Sequence, residues 1–62
     1  MKTGEKIKKY RLKAGLTRKI LATAVDITED GLFKIEKGTR SPSFELMKKI
    51  SDTLTVSLDE LR

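Results

Sequence analysis

The sequence predicts an all-α fold of five short helices packed as one domain over residues 1–62. Helix-start signals recur five times at short intervals, each marked by an oxygen-bearing residue: Thr3, Thr17, Thr28, Ser43 and Ser57. The segments behind them place apolar residues at helical spacing, and no stretch alternates apolar and polar residues as a half-buried strand does. A chain of 62 residues buries only about 60% of its unfolded surface, which leaves room for one small core and no second domain.

The first helix is expected from a Thr3 cap to about Lys13, with Ile7, Tyr10 and Ala14 as its buried stripe and Gly15 beyond its end. Thr17 caps a second helix of about residues 18–25, in which Leu16 ahead of the cap and Leu21 at the fourth helical position form a hydrophobic staple. Ile27 and Leu32 repeat that device around Thr28. Glu29 and Asp30 then lie favourably against the positive end of the third helix, which Gly38 ends after Lys37. A turn-rich link, Gly38 to Pro42, leads to Ser43 and a fourth helix of about residues 44–54, with Met47, Ile50 and Leu54 on one face. Ser57 and Glu60 have capping-box spacing, and Val56 with Leu61 supplies a third staple, for a short fifth helix. That helix has barely begun at Arg62, which suggests the front part of a longer protein.

Composition removes several function classes. Neither Cys nor His occurs, so disulfides, thiolate or imidazole metal sites and an imidazole base are excluded. The nine carboxylates never fall at calcium-loop spacing, and no metal is expected. So small a core cannot be hollowed to wrap a drug-sized ligand of roughly 300 Å³, and neither a cofactor nor a small-molecule ligand is expected. No nucleophile-and-base arrangement is visible, so the chain is not read as an enzyme. With 37% apolar and 37% charged residues and a mean hydropathy of -0.40, it reads as soluble and globular. No apolar run approaches the roughly 18 residues that cross a bilayer, and the charged start lacks the apolar region of a signal peptide. A cytoplasmic protein is expected, in keeping with the absence of disulfides.

The net charge of +5 is concentrated at one end: residues 1–19 hold eight basic residues against Glu5 alone, a net of +7. With an isoelectric point near 9.8, that is the footprint of a polyanion partner, nucleic acid first and an anionic membrane second. A lysine-rich solvated helix would explain the same charge. Membrane association is disfavoured because the apolar face of the first helix is short and is needed for the core.

Only Asp26, Ile27 and Thr28 join the second and third helices, too few for the two to lie fully alongside, so they must cross steeply. Such a pair describes the helix-turn-helix that presents its second member to a DNA major groove, although several small all-α arrangements share the periodicity. The residues carry a resemblance beyond it. Gly15-Leu16-Thr17, Leu21-Ala22, Val25, Ile27-Thr28, Leu32, Ile35-Glu36-Lys37-Gly38, Arg40, Pro42-Ser43, Ile50, Leu54, Val56-Ser57 and Leu61 follow one another in a pattern similar to the Cro and phage-repressor type of helix-turn-helix domain. The likeness covers about residues 5–61. It implies a compact five-helix, lambda-repressor-like fold, a transcriptional regulator, repression by sequence-specific binding of double-stranded DNA, and a homodimer reading half-sites about one turn apart.

Carried over position by position, the resemblance implies a structural ion pair between Arg11 and Glu36 and phosphate contacts from Arg18, Lys19, Lys37, Thr39 and Arg40. The base-reading positions of the third helix are then Glu29, Asp30, Gly31, Phe33 and Lys34. Here the sequence departs from the family, which often has Gln, Ser, Arg or Thr at the first of these. A carboxylate can accept from cytosine N4, yet it opposes the phosphate electrostatics that dominate affinity, so Glu29 and Asp30 either read bases or only stabilise the helix start. Phe33 either packs on a thymine methyl, anchors a protein partner or is partly buried against a neighbouring helix. Asp26 replaces the family's frequent turn Gly and is expected in a left-handed conformation, and Arg18 stands where Gln is frequent. Val56, Leu58 and Leu61 are the candidate dimer interface by analogy alone. A second reading keeps the fold and makes the acidic, Phe33-bearing face a protein-interaction surface.

Overall fold

Four of the five helices begin on the hydroxyl that the sequence provides for them. In the computed structural model, which describes residues 2–62, α2 (Arg18–Ala24), α3 (Glu29–Lys37), α4 (Phe44–Leu54) and α5 (Leu58–Leu61) follow Thr17, Thr28, Ser43 and Ser57. Met1, part of the single-domain span expected over 1–62, lies outside the described residues. Each cap oxygen accepts the amide three residues on: Ile20 N–H at 3.1 Å, Gly31 N–H at 2.9 Å, Leu46 N–H at 3.2 Å and Glu60 N–H at 3.3 Å. Ser57 N–H also donates to Glu60 Oε2 at 3.2 Å, which completes the capping box.

The start of α1 (Thr3–Lys13) differs from expectation. Its cap is Lys2, and Thr3 is already helical. The reason is Glu5, whose carboxylate reaches back to accept the Lys2 N–H at 3.3 Å and so satisfies an N-terminal donor without help from Thr3. The buried stripe of α1 also differs: Gly4, Ile7 and Arg11 face inward, Tyr10 is half-buried and Ala14 is exposed. Ala14 lies past the last helical residue, and Gly15, at φ 74°, turns the chain so that Leu16 returns to the core in its place.

The core is a continuous cluster of Ile7, Leu21, Ala22, Val25, Leu32, Ile35, Ile50, Leu54 and Leu61, drawn from all five helices and the end of α2. Leu16, Ile27 and Val56, the outer members of the three staples, pack against it. Helix α3 lies on both α1 and α2, while α5 closes against α1 and α4. The approach of α1 to α3 is close: a Cβ on Gly4 would stand 2.8 Å from the Glu36 carbonyl oxygen and closer still to that of Ile35. Glycine is therefore required there, because a real Cβ would overlap backbone.

Left-handed residues mark the helix ends. Gly38 takes φ 90° and donates its amide to Lys34 and Ile35 carbonyls, while Asp26 adopts the expected left-handed turn at φ 60°. Thr55, at φ 58°, caps α4 in the same conformation, an uncommon one for a β-branched residue.

Candidate nucleic-acid interface

Helix α3 has two chemically distinct sides. Gly31, Leu32, Ile35 and Glu36 are buried, and Glu29, Asp30, Phe33, Lys34 and Lys37 are exposed. A short amphipathic helix of this kind is fixed in rotation by its apolar side, so the outer five are presented as a rigid set.

The Arg11–Glu36 pair secures the end of α3 to α1. Arg11 Nε donates to Glu36 Oε2 at 2.7 Å and Nη2 donates to Oε1 at 3.3 Å, with both side chains buried. The remaining fork position, Nη1, donates to the Leu16 carbonyl at 2.8 Å, so one guanidinium ties together α1, α3 and the entry to α2. A lysine could not make all three bonds from one planar group.

On the outer face, Lys34 Nζ lies 3.1 Å from Asp30 Oδ2, an exposed pair one turn apart. The α3 cap bond is made by Thr28, so neither Glu29 nor Asp30 is needed as a capping acceptor; both stand in the first turn, where the helix dipole favours their charge. Gly31 does not join them. It was expected among the base-reading positions, but it is buried, and a Cβ there would stand 3.0 Å from Arg40 Nη1 and 3.1 Å from Thr28 Oγ1. The missing side chain makes room for a guanidinium.

That contact also relocates Arg40. From the loop after α3 its side chain runs back to the start of the same helix, beside the shallow surface formed by Thr23, Asp26, Ile27 and Thr28. Thr39 is constrained differently: its hydroxyl donates to the Lys34 carbonyl at 3.2 Å, which leaves the oxygen as an acceptor rather than a donor toward solvent. Arg18 and Lys19 open α2, with Lys19 exposed and Arg18 half-buried.

Phe33 is 41% exposed, and its ring is the centre of a basic group. The Arg18 guanidinium carbon lies 4.8 Å from the ring centroid and Lys37 Nζ lies 5.6 Å from it, both within cation–π range. Lys8 of α1 completes the lining beneath them. Lys8 does not stand out among the many lysines of α1; its signal is a spacing of three from Arg11, which puts both on one side of the helix.

The sequence profile of the helix-turn-helix family matches residues 7–61. The chain belongs to that family. Among its relatives are YazB of Bacillus subtilis, an uncharacterized HTH-type transcriptional regulator, 36% identical over 94% of this chain and 84% of its own length. The SPbeta prophage-derived regulator YonR of the same organism is 36% identical over 94% of this chain, and the transcriptional regulator ImmR is 34% identical over 98%. This chain spans 54% of YonR and 48% of ImmR, about half of each. In three dimensions it resembles the clp gene regulator ClgR of Corynebacterium glutamicum, with a TM-score of 0.92, 25% identity, 95% of this chain covered and 63% of that one. Within the matched range, α2 and α3 are joined by the short link at residues 25–28 and pack on each other. Among the described residues no helix is long and apolar enough to cross a membrane.

Proposed function

We propose that this chain is the DNA-binding domain of a transcriptional regulator that recognises a preferred duplex sequence, with α3 in the major groove, and that it represses by occupying its site. The observation that carries this is the division of α3 into a side locked onto α1 and α2 and an exposed side with five polar or aromatic groups. In a helix-turn-helix protein that exposed side enters the groove.

Glu29, Asp30 and Lys34 stand nearest the base edges in this arrangement. A carboxylate accepts from cytosine N4 and an ammonium donates to guanine O6 and N7, so the acidic start of α3 has a base preference available to it. Arg18, Lys19, Lys37 and Arg40 serve the phosphates, with Arg40 acting from the start of α3, while Thr39, whose hydroxyl proton goes to the Lys34 carbonyl, has no donor left for one. No bond is made or broken; the activity is binding.

We assign the dimer contact to a surface that keeps only Leu58 of the three residues expected from the sequence. Leu61 is 0% exposed and Val56 is packed on the core, so neither is free to meet a second copy. Phe44 is 63% exposed and shares a cleft with Pro42, Met47 and the half-buried Leu58, which makes this the apolar surface suited to self-association.

Selection of this protein's targets from a pool of random duplexes is the deciding experiment. Enrichment of a two-fold related site, with affinity falling steeply as salt rises, is the expected result. Failure to enrich any sequence at low salt would remove the reading and favour a protein partner for the outer face of α3.

A further inference from the structure

The ring of Phe33 forms one wall of a cleft of about 280 Å³ whose other walls are Lys8, Arg11, Arg18, Glu36 and Lys37. Four cations and a single carboxylate share it, and the carboxylate is already committed to Arg11. The ion pairs found among the described residues are Arg11–Glu36, Lys34–Asp30 and Arg62–Asp59, so Lys8, Arg18 and Lys37 have no carboxylate within 4.0 Å. They come from three helices and line one cleft, and two of them, Arg18 and Lys37, lie on its aromatic ring. Like charges gathered this way repel one another, and an anion placed among them relieves that repulsion.

We propose that Lys8, Arg18 and Lys37 form one seat for a DNA-backbone phosphate, and that Phe33 is the positioning residue that holds two of them in place. The proposal rests on the duplex-binding reading above and adds to it a contact from α1. Phe33 and Lys37 lie on the outer side of α3, so the cleft opens beside the surface that enters the groove and meets the strand bordering it. The ring accepts Arg18 on approach at 4.8 Å and Lys37 at 5.6 Å, which fixes where both charges stand before DNA arrives. Glu29 borders the neighbouring grooves with Arg18 but forms no ion pair with it, and Asp30 is engaged by Lys34. Phe33 thus acts on phosphate through the two cations rather than by reading a base, contrary to the role its outward position alone suggests.

The test measures affinity of the full chain and of Lys8→Gln, Phe33→Ala and Phe33→Tyr for the enriched duplex and for a duplex of unrelated sequence, across a range of salt. Lys8→Gln should lower the salt slope by about 0.9, so that its loss of affinity shrinks about 3.5-fold between roughly 50 and 200 mM salt. Phe33→Ala should weaken both duplexes to the same extent and flatten the slope, and Phe33→Tyr, which keeps the aromatic face, should restore both. An unchanged slope in Lys8→Gln, with its thermal unfolding also unchanged, overturns the seat while leaving duplex binding intact. A shift in sequence preference by Phe33→Ala with the slope unaltered overturns the positioning role. Inorganic phosphate at matched ionic strength should not compete; competition that Lys8→Gln abolishes would make this a site for free phosphate instead. If the parent chain binds neither duplex, the DNA-binding reading fails and this proposal fails with it.

Discussion

Replacing Glu36 by alanine should remove about a third or more of this protein's stability, because the bridge it breaks is buried. Stability of about 0.05–0.15 kcal/mol per residue gives a 62-residue chain about 3–9 kcal/mol in all. Glu36→Ala removes the partner of two guanidinium nitrogens, at 2.7 and 3.3 Å, and leaves the buried Arg11 with only the Leu16 carbonyl. Stranding a buried charge this way costs about 3–5 kcal/mol. Urea titration followed by helical circular dichroism should therefore show a midpoint lower than the parent's by about a third or more for Glu36→Ala. The double substitution Arg11→Met with Glu36→Leu removes both charges and fills the space with apolar atoms, so it should recover most of the loss. Because the pair is buried, molar salt should not erase the difference between parent and single variant. A Glu36→Ala cost below about 1 kcal/mol, the range of exposed ion pairs, would refute the claim that this bridge is desolvated and holds α3 to α1.

Other substitutions test separate features. Gly4→Ala pushes a Cβ into the Ile35 and Glu36 carbonyls, and since backbone cannot yield as a side chain does, we expect a loss of about 3 kcal/mol and a melting temperature lower by more than about 10 °C; an unchanged melt would mean that α1 and α3 are further apart. Thr55→Gly relieves a left-handed β-branched residue and should stabilise by about 1 kcal/mol in the same melt, whereas Thr55→Ala should not. Gly31→Ala sets a Cβ 3.0 Å from Arg40 Nη1 and shifts the guanidinium by a few tenths of an ångström, a small packing adjustment, so it should lose less duplex affinity than Arg40→Gln, and the double variant should lose no more than Arg40→Gln alone. Additive losses in that double variant would show that Arg40 does not act from the seat above Gly31.

What the sequence revealed and what it hid divide by distance along the chain. Caps and staples are contacts among residues three to five apart, so Thr17, Thr28, Ser43 and Ser57 could be read directly and all four hold in the structure. Thr3 failed because a competing local partner, Glu5, satisfied the same donor. Gly4 gave no sign of its role, since the carbonyls it must clear lie 31 and 32 positions away. Leu61 carried the apolar character of an interface residue and the spacing of a staple residue, and in the fold the staple prevails because α5 has only that side chain to bury completely.

The outer face of α3 shows the same limit where it bears on DNA. Spacing places Phe33 and Lys37 one turn apart, and the family register rather than spacing turns Phe33 outward, but neither says anything of Arg18, which reaches the ring from another helix, or of Arg40, which turns back to Gly31. Each of these contacts changes what the recognition surface offers. A phenylalanine read in isolation is an apolar group for a thymine methyl; with two cations on its ring it is, as proposed above, the support for a phosphate contact. A glycine read in isolation weakens the helix by about 1 kcal/mol; beneath a guanidinium it is the condition for a charge at the helix start. The acidic residues at that start are then offset by cations held at fixed places on either side, Arg40 over the first turn and Arg18 beside Phe33. This is how a helix beginning with two carboxylates can still approach a polyanion.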